Sequence, residues 1–277
     1  MRKLLTAAGL LLASLFMSQT AVAQEKSKLD EVLARGKVIV GVSSESPPFG
    51  FVDEKGELAG FDIDLAKLIA KGLFGSDDPK HVEFVKQSSA ARWENVNSGK
   101  VDFGIHVATI LPDRIARVAF TRGYIDSSIV VIVKNDSRFK TFADLNSEKV
   151  TTAILSTPIQ AERAKQFFPK AKATTLDSIG AQFTAVKGGR VDAAQLDEPV
   201  ALWYASQNKD VRILGERMAA VTNNAIYLKQ GDFKWWLALD TYVNEMRAGA
   251  LFNDYAASYK KWFGKAPLNA KFYANAK

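Results

Sequence analysis

Short apolar runs of strand length alternate with helical patterns along most of this 277-residue chain, and that alternation constrains its architecture more than any single residue does. Val38-Ile39-Val40-Gly41-Val42 is the first run. His81–Val85, Phe103–Val107, Ile129–Val133, Val150–Leu155 and Ala193–Leu196 continue the series. Between them apolar residues return at helical spacing, as Leu65, Leu68, Ile69 and Leu73 do within Phe61–Phe74. The same spacing predicts helices over Ser89–Asn97, Pro158–Phe168, Gly180–Lys187, Pro199–Ser206, Phe233–Arg247 and Phe252–Phe263. Strands alternating with helices predict α/β sheets covered by helices.

Open sheets of this kind bind ligands beyond the carboxyl ends of their strands. That rule directs attention to Ser43–Ser46, Thr109–Arg114, Thr157 and Asp197, each of which follows a predicted strand. The chain has no Cys, which removes disulfides, thiolate metal sites and cysteine nucleophiles together. Two isolated His with no HExxH pairing do not make a metal centre. There is no Walker A motif, no GxGxxG after a strand and no GxSxG elbow.

In Thr109-Ile110-Leu111-Pro112-Asp113-Arg114, Pro112 suits a first helical position, so the segment spans a strand end and a helix start. A hydroxyl, free backbone amides and a guanidinium could converge there on one anion. On spacing alone Arg114 reads first as a surface helical residue paired with Asp113 or solvent. Asp197 closes Val191–Leu196 just before Glu198-Pro199, where a carboxylate can hold an ammonium or cap the following helix. Thr157-Pro158 has the same two readings.

The N-terminus reads as an export signal. Arg2 and Lys3, the apolar stretch Leu4–Met17 and the small-residue motif Ala21-Val22-Ala23 predict cleavage after Ala23. The stretch is shorter than the ~20 residues of a membrane span. An uncleaved amphipathic helix or signal anchor is the alternative. The expected product starts at Gln24 in a bacterial periplasm, its formal charge lowered from +7 to +5 by the loss of Arg2 and Lys3. Its cations are mixed with acids and form no run of five, so no nucleic-acid or anionic-membrane partner is expected.

Several motifs together carry a family resemblance. They are Pro48-Phe49, Gly60-Phe61-Asp62-Ile63-Asp64-Leu65-Ala66, Ser98-Gly99-Lys100-Val101-Asp102, Thr109–Arg114, Ala119-Phe120-Thr121 and Gly189-Arg190-Val191-Asp192-Ala193-Ala194 leading to Asp197-Glu198-Pro199. In order and spacing the chain resembles the polar amino-acid-binding proteins of bacterial ABC importers. The resemblance implies two α/β lobes joined by crossing strands and closing on an amino acid. Lobe one is expected over 24–125 and 222–277 and lobe two over 126–221, with crossings near Tyr124–Ser128 and Thr222–Asn224.

The family's clamp for the ligand α-carboxylate falls on Arg114, with Thr109 helping. Its α-ammonium acceptor falls on Asp197, and its second-lobe helix N-terminus on Thr157; Val107 counts among the ligand-binding residues. Ser88-Ser89-Ala90-Ala91-Arg92 resembles the segment that glutamate/aspartate-binding members use for the distal carboxylate, which implies roles for Arg92 and Ser89. The ending Trp262-Phe263-Gly264-Lys265-Ala266-Pro267-Leu268-Asn269 resembles the same group, whereas the positions of Ser43 and Ile179 lack the cation or histidine some of its members carry. The implied function is periplasmic capture of a polar L-amino acid, favouring glutamate or aspartate, and delivery by a monomer to an ABC permease, with no catalysis, cofactor or metal. The rivals are a dehydratase of a small cyclic acid on the same fold, with Glu45 and His106 as spare acid–base groups, and a ligand-binding sensor. His106 also reads as a packed core histidine, and Arg92 as an exposed helical residue.

Overall fold

A computed structural model describes residues 26–156, 158–218, 222–264 and 266–267. The export segment with its cleavage point, Thr157, and Lys265, Leu268 and Asn269 of the terminal motif lie outside the described residues. The strands are β1 (Val38–Val42), β2 (Glu45–Ser46), β3 (Gly50–Val52), β4 (Leu58–Ala59), β5 (Val82–Lys86), β6 (Phe103–Gly104) and β7 (Ala119–Ser127), followed by β8 (Ile129–Lys134), β9 (Thr151–Leu155), β10 (Lys172–Leu176), β11 (Ala193–Asp197), β12 (Val211–Ile213) and β13 (Thr222–Leu228). The helices are α1 (Lys28–Arg35), α2 (Phe61–Phe74), α3 (Arg92–Asn97), α4 (Phe142–Leu145), α5 (Pro158–Phe167), α6 (Ile179–Lys187), α7 (Glu198–Gln207), α8 (Phe233–Ala248) and α9 (Phe252–Phe263).

The strands build one sheet in the order β5-β1-β6-β13-β7, a second in the order β10-β9-β11-β8-β12, and a small antiparallel sheet of β2, β3 and β4. β1 is parallel to β5 and β6, and its buried Val38, Val40 and Val42 suit a strand covered on its faces by helices. The chain leaves the first sheet on β7 and enters the second on β8 after a single residue, Ser128. It returns on β13, which runs antiparallel to β7 with Thr222 opposite Ser127 and Asn223 opposite Asp126. Two lobes therefore hang on a pair of adjacent strands. The fold is the expected two-lobe α/β arrangement.

The first lobe is held by apolar burial around α2, whose Phe61, Ile63, Leu65, Ala66 and Ile69 are inaccessible to water. Phe61 meets Phe263 of α9 at 5.0 Å and Tyr255 at 5.6 Å, both edge to face, the orientation that the ring quadrupoles favour. At Gly41 an added Cβ would lie 2.3 Å from the Gln87 amide, and at Gly104 one would lie 2.0 Å from the Tyr227 ring. Only glycine lets both side chains cross the end of this sheet.

Three local expectations need correction. The strand expected over Phe103–Val107 stops at Gly104, because Val107 adopts a left-handed backbone with φ +44°. That conformation costs a β-branched residue about 1–3 kcal/mol, and Asp62 of α2 braces it by accepting the Val107 N–H at 3.3 Å. The helix expected over Ser89–Asn97 begins only at Arg92, after a turn in which the Ser88 hydroxyl accepts the Ala91 N–H at 3.2 Å. Pro112 begins a single 3-10 turn ending at Arg114 rather than an α-helix.

Candidate functional site

Thr109 and Arg114 lie between β6 and β7 of the first sheet, and Asp197 ends β11 of the second. Arg114 donates through Nη1 to the Thr109 carbonyl at 2.8 Å. Thr109 is pinned to the returning strand, since its hydroxyl donates to Asn224 Oδ1 at 3.1 Å. The Ala225 N–H reinforces this by donating to the Ala108 carbonyl at 2.9 Å. Arg114 is half-buried; desolvation draws its pKa down, while Asp113 and Asp197 push it back up.

Asp197 ends β11 and occupies the N-cap position of α7, yet its side chain makes no capping hydrogen bond. Its Oδ1 accepts from the Ser127 hydroxyl at 3.3 Å instead. Burial pushes this carboxyl pKa up, and Ser127, Arg163 and Arg114 pull it back. Arg114 and Asp197, from different sheets, thus feel each other's charge across the cleft.

Arg92, at the start of α3, is 9% exposed. Its Nη1 donates to the His106 carbonyl at 3.2 Å, its guanidinium lies 4.1 Å from the centre of the Trp93 ring, and its Nε has no partner. Arg114 approaches the same ring at 5.9 Å, so one indole is shared by two cations. Desolvation draws the Arg92 pKa down to about 10, with Arg114 adding to the fall and Tyr227 and Tyr124 opposing it. Arg92 is still a cation at neutral pH. None of the ion pairs within 4.0 Å between described residues includes Arg92, Arg114, Arg163 or Asp197.

A network of neutral polar groups lies beside Arg92. Gln87 Nε2 donates to the Tyr227 hydroxyl at 2.6 Å, and Asn95 Nδ2 donates to Gln87 Oε1 at 2.9 Å. Buried polar atoms without a partner gather in the same lobe: Arg92 Nε, His106 Nδ1, Asn224 Nδ2, Asp62 Oδ1 and the Tyr124 hydroxyl. Such atoms are rare in native proteins and mark places where water or a ligand is to be accounted for.

The remaining residues fall out differently. Val107 is half-buried beside Asp62, and Ser89 stands exposed in the turn before α3. His106 is buried, and desolvation with Arg92 lowers its pKa to about 4, which leaves it neutral. Glu45 is exposed on β2. Arg163 and Gln195 emerge only from the structure, with Arg163 Nη1 donating to Gln195 Oε1 at 3.3 Å. Nothing in the mixed polar helix Pro158–Phe167 marks Arg163 out from its neighbours. Among the described residues no His/Cys/Asp/Glu group could hold a metal ion, and no helix is long and apolar enough to cross a membrane.

Comparison with known proteins places this geometry in context. Residues 38–265 match the bacterial extracellular solute-binding proteins, family 3. The chain is 28% identical over 250 residues to the ABC transporter glutamine-binding protein of Bacillus subtilis (strain 168), covering 88% of this chain and 89% of that protein. It is 30% identical over 185 residues to ABC transporter arginine-binding protein 1 of Escherichia coli (strain K12), covering 67% and 73% respectively. A solved ancestral amino acid-binding protein, described as a precursor of cyclohexadienyl dehydratase, is 32% identical with a TM-score of 0.74, covering 86% of this chain and 100% of that one.

Proposed function

The chain belongs to the bacterial extracellular solute-binding proteins, family 3, and from that membership we propose that it captures an amino acid between its lobes in the periplasm and delivers it to the permease of an ABC importer. Relatives named for glutamine and arginine support the amino-acid class. Lobe one comprises 24–125 with 222–277, and lobe two 126–221. Arg114 and Thr109 hold the α-carboxylate, together with Thr157, while Asp197 holds the α-ammonium and Val107 belongs to the same ligand-binding set.

Arg92 carries the choice of side chain. A buried guanidinium with no protein carboxylate asks for an anion, because leaving it unanswered costs several kcal/mol. Arg92 and Arg114 against Asp197 complement two carboxylates and one ammonium, the charges of glutamate or aspartate. Ser89 supplies a hydroxyl near the distal carboxylate. A binding role is favoured over a dehydratase, since His106 is neutral beside Arg92 and Glu45 is exposed.

Calorimetric titration with L-glutamate and L-glutamine tests the assignment. A charge-assisted hydrogen bond contributes ~1.5–3 kcal/mol, so Arg92→Ala should weaken glutamate about ten- to a hundredfold and glutamine much less. Arg92→Lys should recover part of the loss, an ammonium lacking the planar fork. A glutamate-to-glutamine ratio that stays put in Arg92→Ala ends the acidic assignment.

A further inference from the structure

Arg163 has no part in the roles above. It lies half-buried on α5, with Nη1 tethered to Gln195 Oε1 at 3.3 Å. Gln195 precedes Asp197 by two residues on β11, so strand alternation places the two side chains on one face. Gln195 is itself held, its Nε2 donating to the Gln160 carbonyl at 2.9 Å, and the Leu155 N–H donates to Gln160 Oε1 at 2.7 Å. The first turns of α5 are thereby tied to the ends of β9 and β11, and the guanidinium is anchored where its charge acts on Asp197.

We propose that Arg163 is a positioning residue of the amino-acid site, keeping Asp197 ionised so that it can accept the ligand ammonium. This rests on the reading of Asp197 as the ammonium acceptor. A carboxyl withdrawn from water favours its neutral form, and a neutral carboxyl cannot form an ion pair with an ammonium. Besides its own backbone N–H, three groups oppose that tendency at Asp197: the Ser127 hydroxyl from β7, Arg114 from the other lobe, and Arg163 from α5. Glu198, its neighbour in the chain, is engaged by Arg217 through hydrogen bonds of 2.8 and 3.1 Å. Arg114 belongs to the other lobe and recedes when the lobes part. Arg163 travels with Asp197, so it is the counter-charge that persists in the open, ligand-free protein.

Charge alone suggests the opposite role, since a cation beside an ammonium site repels the ligand. The two views differ in sign. Carbon-13 NMR would follow the Asp197 carboxyl in the ligand-free full-length protein, and calorimetry would follow L-glutamate and L-glutamine, between about pH 4 and pH 8. In Arg163→Met the Asp197 midpoint should rise by about one pH unit, and the acid limb of the Kd profile should move up with it for both amino acids. Binding at neutral pH should weaken several-fold for both, and Arg163→Lys should restore most of it. Arg163→Gln, which keeps an amide for Gln195, repeats the test if the methionine variant does not fold.

An unmoved midpoint, tighter binding in Arg163→Met, or a loss confined to glutamate with an unmoved limb would each overturn the proposal. The carboxyl titration needs no ligand. If the wild-type protein binds neither amino acid, the reading of the site fails, while the midpoint still decides whether Arg163 holds Asp197 ionised.

Discussion

Arg92 is buried and Asp197 half-buried, and neither is matched by an ion pair, which sets them apart from groups such as Asp240, closed by Arg122 at 2.7 Å. If Asp197 takes the ligand ammonium, Asp197→Ala removes one partner of a buried charge pair, a loss of ~2–5 kcal/mol. That is roughly thirty- to several-thousand-fold in Kd. The melting temperature should fall only modestly, because no capping hydrogen bond is lost and only the one from the Ser127 hydroxyl goes; a lost cap would cost about 1 kcal/mol of stability. Calorimetry and a thermal melt on one sample separate the cases, and intact affinity with a lowered melting temperature would sink the ligand role. Arg114 and Asp197 are legible in the sequence only through the order of the motifs around them, since their spacing leaves the surface and cap readings open. Arg163 is not legible at all. Its role depends on Gln195, which is 32 residues away along the chain and reaches it only once β9 and β11 are paired.

At the level of elements, α2 is joined to the irregular stretch after β6 through Asp62, a fully buried carboxyl in the helix's first turn. Its Oδ2 accepts the Val107 N–H, while Oδ1 faces the Tyr124 hydroxyl outside hydrogen-bond geometry. Burial pushes its pKa up to about 7, against the pull of Tyr124 and Val107. The sign of the linkage follows. Between about pH 4 and that raised value the folded chain keeps a proton that the unfolded chain has released, so this carboxyl's contribution to stability falls as pH rises. The slope is about 1.4 kcal/mol per pH unit, and the loss is complete above the folded pKa. Asp62→Asn removes the titration, so its melting temperature should gain on the wild type steadily from pH 4 to pH 7; curves that run parallel would refute the linkage. The elements themselves are unevenly legible. β1, β8 and β11 are apolar runs because helices or neighbouring strands cover them. In β7, exposed Arg122 and Asp126 interrupt the buried Tyr124 and Ile125, which hides a nine-residue strand behind a polar composition. β10 is an edge strand with Lys172, Thr174 and Thr175 among its five residues and little apolar surface to bury.

For the whole molecule, the decisive geometry is that Arg114 and Asp197, the proposed partners of the two ends of a zwitterion, stand in different lobes. The lobes are linked by β7 and β13, and they also touch where Phe51 of β3 meets Trp203 of α7 at 6.1 Å. Asn224, fully buried on β13, ties Thr109 to the returning strand, so the proposed carboxylate clamp sits at the root of the crossing itself. A ligand held by Arg114 alone would bind the open and closed forms alike and shift nothing. One held by both Arg114 and Asp197 binds the closed form better, and that difference in affinity is all that can drive closure. Small-angle scattering should therefore give a smaller radius of gyration at saturating amino acid than without it. Asp197→Ala, saturated at a concentration high enough to offset its weakened binding, should compact less than the wild type, because of the proposed second-lobe contacts only the one at Thr157 would remain. If the wild-type curve is unchanged at proven saturation, or if Asp197→Ala compacts as fully as the wild type, the two charges do not share one ligand.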